Sequence, residues 1–343
     1  MIKVGLIGAG KIADTFHLPA WETVEGARVM ALVDPRIGVA NELGKKYAIK
    51  KTYDTLRDML ESTQLDAVDI CSPHALHAEH ACEALRAGLH CFVEKPFATS
   101  ARDAKKIARE AAKNARIVMC GQHQRFRPES IVLKSMIDAG EFGEIYHIKV
   151  EAMAARGIPV QVANSFTDKK LSGGGPLIDQ GSHGLDIAWW FMGCPKPMSA
   201  FAVVSGQAVP KTGRAITGAT WSVYNVEDFA TAIIRFEDNR SITVRTCYFS
   251  NCLEDVFGCE ILGTKAGATW PELRVTQPDG GHVKRTVITT DNTALASVSE
   301  LNHFVALIEK RCLPVIPIEH SITLTKMIDG LYESARTETV VNF

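Results

Sequence analysis

Apolar residues in the first third of the chain gather into short branched runs, with amphipathic stretches between them. Ile2 to Ile7, Ala27 to Val33, Ala67 to Cys71, Cys91 to Val93 and Arg116 to Cys120 have the length and composition of buried strands. Val39 to Tyr47, Thr55 to Glu61 and Ala78 to Ala87 predict helices between them. Strands alternating with helices predict a doubly wound parallel sheet. Beyond Gly121 to Phe126 the pattern changes, which places a domain boundary there and divides the chain into 1–123 and 124–343. A helix is expected over Ser130 to Ala139. In the strand Tyr146 to Met153, Ile148, Val150 and Ala152 alternate with His147, Lys149 and Glu151, as one buried face requires. Arg156 to Leu171 has no period and is expected to be a loop.

The stretch Ser172 to Asp186 carries a different signal. Three glycines, 173 to 175, form a loop free to take positive φ or to approach a ligand, and Pro176 suits the first turn of a helix. Leu177, Gly181, Leu185, Ala188 and Met192 then share one helix face, while Asp179, His183, Asp186 and Trp190 share another. After this helix the pattern is β: Ala200 to Val204, Phe229 to Phe236, Ile242 to Phe249 and Cys259 to Leu262. Asp238-Asn239 and Pro278 to Gly281 predict hairpin turns. Helices near Ser299 to Lys310 and Glu319 to Thr337 close the chain. A sheet with helices on one side leaves a broad second face, which predicts that another copy of the chain covers it.

At 343 residues the chain exceeds a usual single core, which agrees with two domains. Its 38 basic and 39 acidic residues balance to a formal charge of -1 without long like-charged blocks, which argues against nucleic-acid and membrane partners and for a small molecule. The nine cysteines are scattered without any C-x-x-C pair, as expected of free thiols in a reducing compartment. No apolar run approaches the ~18 residues of a membrane span, and the strand-like start has no leader pattern, so a cytoplasmic location is expected.

Ile2 to Ile7 ends in Gly8-Ala9-Gly10-Lys11-Ile12-Ala13, a G-x-G-x-x-A directly after a strand. The first glycine permits the tight turn, the second lets the backbone approach a pyrophosphate, and the small sixth residue lets helix and strand pack closely. A second strand ends in Asp34, where an acid able to hold the ribose hydroxyls is expected. A dinucleotide site follows. Asp34 favours NAD, while Arg36 could instead hold the 2′-phosphate of NADP or be a solvated cation. Ser72-Pro73-His74 lies beyond a strand's carboxyl end, where open α/β sheets bind ligands. His74, His77 and His80 have a spacing that could suggest a metal, but no acid or cysteine clearly completes the set. No metal is expected, and His77 is read as lining the cofactor.

The strand Cys91 to Val93 runs into Glu94-Lys95-Pro96, and with that the sequence resembles the Gfo/Idh/MocA (glucose-fructose oxidoreductase / inositol dehydrogenase) family. Gly8 to Ala13, Glu94-Lys95-Pro96 and the Gly174 to His183 helix match its motifs in order; Ser72-Pro73 with His77, Ala87-Gly88, and Arg125-Phe126 with Pro128 match weaker positions. The resemblance covers nearly the whole chain. It implies a Rossmann domain followed by an α+β domain with a large, open-faced, mostly antiparallel sheet, and assembly into dimers or tetramers through that sheet. It also implies a catalytic set carried here by Lys95, Asp179 and His183, with Glu94, Lys95 and Gln122 among the cofactor contacts and Arg125 toward the substrate.

Chemistry gives those residues a purpose of their own. An Asp and a His one helical turn apart can touch, the carboxylate fixing the tautomer and raising the basicity of the ring. Such pairs are also ordinary surface features, worth about 0.2–0.5 kcal/mol. A lysine at a strand's carboxyl end favours an alkoxide forming beside it, although a lysine beside a proline can equally be a snorkelling surface residue. Arg156 could hold a substrate hydroxyl or carboxylate, or be a solvated loop residue. Together these residues predict an NAD(P)-dependent oxidoreductase acting on a secondary alcohol of a sugar, glycoside or polyol, with Lys95, Asp179 and His183 converging between the domains. Two other functions fit the same motifs: glycoside cleavage with retained NAD and transient ring oxidation, and a non-enzymatic dinucleotide sensor. The intact Lys-Asp-His set argues against a sensor.

Overall fold

The computed structural model describes residues 1–155, 157, 163–206, 213–214, 220–252, 254–291 and 295–343. It divides into two compact units, Met1–His123 with Ala294–Thr325, and Gln124–Thr293 with Lys326–Phe343. The segment 294–325 therefore belongs to the first unit, whereas the sequence pattern carried the second domain unbroken to 343. A long-range contact decides this. Phe304, on the helix Ala296–Ile308, stacks edge-on against Phe92 at 5.6 Å between ring centroids.

In the first unit, β1 (Ile2–Ile7), β2 (Ala27–Val33), β3 (Lys51–Tyr53), β4 (Ala67–Ile70), β5 (His90–Glu94) and β6 (Val118–Gly121) form one parallel sheet in the order β3-β2-β1-β4-β5-β6. This is the Rossmann order, with its topological switch between β1 and β4. The central strands are largely apolar, Asp69 on β4 excepted, because helices cover both faces. Val4, Leu6, Val68, Ile70 and Val93 are all fully buried. Most anticipated helices form within two residues of their expected ends, and the caps explain their starts. Thr55 Oγ1 accepts the Asp58 N–H at 3.2 Å ahead of the helix Leu56–Ser62. The strand β3 and the helix Ala101–Lys113 were not anticipated from the pattern. That helix starts at a box in which Ser100 Oγ accepts the Asp103 N–H.

In the second unit, β7 (Ile145–Met153), β8 (Pro197–Ser205), β9 (Gly213–Arg214), β10 (Thr220–Trp221), β11 (Phe229–Phe236), β12 (Ser241–Cys247), β13 (Val256–Gly263), β14 (Gly267–Trp270), β15 (Leu273–Asp279), β16 (His282–Ile288) and β17 (Val341–Asn342) are strands. Nine of them form a sheet in the order β16-β15-β14-β13-β7-β12-β11-β8-β17, antiparallel except for the β7–β12 pair. The predicted hairpin residues turn the chain in the left-handed region, Asp238 and Asn239 at φ 57° and 59°, and Gly280 and Gly281 at 55° and 87°. The expected loop over 156–171 contains short helices, Ala163–Thr167 and Lys169–Ser172, the second capped by Asp168. Segments this short carry too few residues for a visible period. The helix Pro176–Phe191 lies on β7, β12 and β13.

Candidate active site

Register gathers the candidate residues of the first unit. Ile7 pairs with Val33 and Ile70, Ile70 with Val93, Val93 with Cys120, and Glu94 with Gly121. The residues that follow each strand therefore line one edge of the sheet: Gly8, Asp34, Ser72, Lys95 and Gln122. Gly8 takes φ 97°, and a Cβ there would lie 2.8 Å from Cys71 O and Ser72 N. At Gly10 a Cβ would meet none of the described residues within 4 Å. The turn is thus closed toward the protein at its first glycine and open at its second, as a pyrophosphate cradle requires. Lys11 is exposed and Ile12 half-buried at the start of the helix that follows.

Asp34 is 5% exposed and accepts four bonds, from the N–H of Ala9 at 3.1 Å and from Arg36 N, Nε and Nη2 at 2.9, 3.0 and 3.2 Å. Burial pushes its pKa up, but the bonds from Arg36 and Ala9 outweigh this and hold it below the usual carboxylate range. Asp34 and Arg36, read as rivals in the sequence, are a bonded pair.

Beyond β4, Ser72 Oγ bonds His80 Nδ1 at 2.9 Å. His77 is 1% exposed, with its ring nitrogens each 2.8 Å from a backbone carbonyl, Ser72 O and Pro96 O. Burial lowers its pKa. Both polar atoms are committed to the protein, so His77 braces the loop after β4 against the loop after β5. The half-buried Glu94 accepts the backbone N–H of the half-buried Lys95 through Oε2. Gln122 is 2% exposed, and among the described residues neither atom of its side-chain amide has a partner. A buried amide normally finds partners, so this donor and acceptor at the carboxyl edge are fitted to a ligand that brings both. The open Gly10 and the orphan Gln122 amide fit a dinucleotide at this edge.

In the second unit the candidate residues gather on the helix Pro176–Phe191. Its buried N-terminus is capped from a distance. Glu227 accepts the N–H of Gly175 at 2.9 Å and of Leu177 at 3.2 Å, and the Tyr332 hydroxyl donates to it at 2.8 Å. Burial nevertheless raises the Glu227 pKa. The glycines here serve close packing: a Cβ on Gly174 would collide with the Tyr332 hydroxyl, and one on Gly175 with the Glu227 carbonyl. Gly173 takes the positive φ that the sequence allowed, 81°, while Gly174 and Gly175 admit protein groups.

One turn into the helix, Asp179 is 3% exposed and accepts a 2.8 Å bond from the hydroxyl of Tyr248, itself fully buried beyond β12. Burial and the adjoining carboxylate raise the Tyr248 pKa well above its ordinary value, so it remains a donor. His183 follows one turn later, 9% exposed. Asp186, on the face assigned to Asp179 and His183, is committed elsewhere. It takes two bonds from Arg125, Nε to Oδ2 at 2.8 Å and Nη2 to Oδ1 at 2.6 Å, with the arginine side chain fully buried. The Arg125 guanidinium also lies 5.6 Å from the centre of a Trp190 ring. Arg125, expected to meet substrate, is therefore part of the scaffold that anchors the helix. Arg156 lies outside the described residues. Tyr248, Glu227 and Tyr332 gave no sequence signal, because each meets the helix from at least 50 residues away.

Residues 2–122 match the family model of the oxidoreductase family with an NAD-binding Rossmann fold, and residues 131–269 match the GFO/IDH/MocA C-terminal domain. The chain is also 30% identical to D-glucoside 3-dehydrogenase of Escherichia coli K12, across 99% of this chain and 97% of that protein. The chain belongs to the Gfo/Idh/MocA oxidoreductase family. Another relative is scyllo-inositol 2-dehydrogenase (NAD(+)) of Bacillus subtilis, 25% identical over 80% of this chain and 75% of that protein. Levoglucosan dehydrogenase, solved with NADH and L-sorbose, superposes with a TM-score of 0.85 at 19% identity, covering 99% of this chain and 98% of that one. Membership makes the chain an NAD-dependent oxidoreductase with the two-part fold described above. No helix among the described residues is long and apolar enough to cross a membrane.

Proposed function

We propose that this chain is a dehydrogenase that oxidises a secondary alcohol of a sugar, glycoside or polyol, with Lys95, Asp179 and His183 as its catalytic residues. The observation that carries the reading is the row of Gly8, Asp34, Lys95 and the orphan Gln122 amide along the carboxyl edge of the first sheet. The substrate class is supported by the glucoside and inositol dehydrogenases among the relatives. When bound, NAD supplies a hydride acceptor. Gly10 admits its pyrophosphate, Asp34 meets its adenosine ribose, and Gln122 offers one donor and one acceptor. The ammonium of Lys95 favours the alkoxide form of the substrate hydroxyl, Asp179 holds that hydroxyl in place from its fixed bond to Tyr248, and His183 takes the proton. Incubating the protein with NAD and a panel of polyols and glycosides tests the reading. Net growth of nicotinamide absorbance with an oxidised product is expected. Glycoside cleavage without net reduction, or no turnover across the panel, overturns it.

NAD is preferred over NADP. Asp34 would hold the ribose hydroxyls once the 67% exposed Arg36 side chain gives up its bonds to it, whereas the same carboxylate would repel a 2′-phosphate. Titration of the unmodified protein with both cofactors is expected to favour NAD. In Asp34→Ala, which releases Arg36 to bind phosphate, that preference narrows at least ~10-fold. Tighter binding of NADP by the unmodified protein refutes the assignment.

A second copy of the chain is the proposed cover for the open face of the large sheet. Phe201 and Ile233, paired across β8 and β11, are 38% and 45% exposed, and neighbouring Val203 is 50% exposed. Light scattering is expected to give a dimer or tetramer, and Phe201→Glu with Ile233→Lys is expected to give the monomer. A monomeric unmodified protein rules the interface out.

A further inference from the structure

The proposed mechanism leaves unused a buried charged cluster in the first unit. The helix after the glycine turn opens with a π-helical turn, Ala13–His17, before the α-helical turn Leu18–Trp21. His17 and Trp21, one turn apart, both reach Asp69 on β4, a residue with no solvent exposure. Asp69 Oδ2 lies 2.8 Å from His17 Nδ1 and accepts the indole N–H of Trp21 at 2.7 Å. On the other side of the imidazole, Nε2 is paired with Glu94 Oε1 at 3.8 Å. The Cys71 thiol donates to Asp69 Oδ1 at 3.6 Å, and burial pushes its pKa up to about 12, so it stays neutral.

A neutral imidazole donates through one nitrogen only, yet His17 stands between two carboxylates. Burial opposes a charge on the ring, but Asp69 overcomes it and raises the His17 pKa well above its ordinary value. For Glu94 burial again acts upward, and His17 and Lys95 outweigh it, leaving the carboxyl at about 2. The other Glu94 oxygen accepts the Lys95 backbone N–H. A continuous path of charge and hydrogen bonds thus runs from the buried Asp69 to the peptide of Lys95.

We propose that His17 is a positioning residue: an imidazolium held between Asp69 and Glu94 that fixes the Glu94 carboxylate across the backbone of Lys95 and so sets where the lysine side chain starts. Its effect on turnover rests on the catalytic reading of Lys95 given above; its protonation state does not. The ligand atoms of His17, Asp69 and Cys71 also lie within 4.8 Å of one another, as in a metal site. Asp69 Oδ2 is already bonded to His17 and Trp21 and Oδ1 to the Cys71 thiol, so a cation there would have to displace these bonds.

The groups facing Glu94 are His17 from the π-helical turn, Lys95 beside it, His77 from the helix after β4, Cys71 at the end of β4 and His123 beyond β6. Of these, His17 is the one whose loss removes a paired positive charge without touching Lys95. In His17→Gln the Glu94 pKa rises, and carboxyl-carbon NMR of the cofactor-free protein is expected to show it moved up by ~1 unit or more, while kcat at neutral pH falls ~10-fold with KM changed less than ~2-fold. Adding Glu94→Gln to His17→Gln is expected to cost kcat less than ~2-fold more, because both residues act through one path. A merely structural histidine would lower yield or melting temperature and leave the Glu94 titration and the kcat of the folded protein where they were.

Side-chain nitrogen NMR of the cofactor-free protein, with His17→Gln to assign the signals, supplies the second readout. The proposal expects both His17 nitrogens to carry protons at pH 8. A neutral ring at pH 7, an unmoved Glu94 titration in His17→Gln, or binding of added Zn²⁺ that is lost in His17→Gln overturns it. Normal turnover in Lys95→Ala with the imidazolium intact would remove the catalytic reading of Lys95 and leave the charged path standing.

Discussion

Lys95→Ala is expected to lower kcat at least ~100-fold and to leave NADH affinity within ~3-fold, and His183→Ala to do the same, because the proposed mechanism has each side chain act on the reacting hydroxyl. Lys95 sits at the end of β5, where the Glu94–Gly121 pairing and the Glu94 bond to its N–H fix the backbone, so removing the side chain beyond Cβ leaves the sheet edge as it was. An ammonium beside a forming alkoxide is worth several kcal/mol in a site that excludes water, which corresponds to the stated loss. His183 is tested through pH: the alanine variant should lose the limb that reports deprotonation of the base, and raised pH should restore part of its rate. Stopped-flow turnover and fluorescence titration with NADH separate chemistry from binding. Near-normal rates in either variant remove the mechanism.

Asp186→Ala destabilises the second unit by about 3–5 kcal/mol, the usual cost of leaving one partner of a buried ion pair without its counter-charge. The two side chains are 0% and 2% exposed, so water cannot replace the lost carboxylate. The pair joins the segment after β6 to the helix that carries Asp179 and His183, and its loss should loosen that helix. Replacing both partners, Arg125→Met with Asp186→Leu, is expected to recover most of the stability, because two desolvation costs vanish together. Urea unfolding followed by tryptophan fluorescence measures all three proteins. An equal loss in the double variant would show that the charges themselves, rather than an orphaned arginine, hold the helix.

The contrast between Arg125 and Asp179 shows where sequence reading succeeds and where it stops. Arg125 matched a family position and was expected at the substrate, but a short motif does not say which carboxylate a guanidinium will meet. Asp186, 61 residues away, claims it. Asp179 also lies on a motif, and what holds it in place is Tyr248, 69 residues away and in no pattern.

Local order was legible because its causes are local. The branched runs set the strands of the first sheet, the G-x-G-x-x-A turn follows from what glycine alone permits, and the hairpins at Asp238-Asn239 and Gly280-Gly281 follow from residues that tolerate positive φ. These effects act within one strand, turn or helix, a window that sequence exposes directly. Tertiary structure decided the long-range pairings: Glu227 and Tyr332 at the helix N-terminus, Tyr248 on Asp179, Arg125 on Asp186, and His17 between Asp69 and Glu94. It also decided that 294–325 packs with the first unit. The physical reason is common to all of them. A buried charge must find a partner, many residues are chemically able to serve, and only the folded chain brings one within hydrogen-bonding distance.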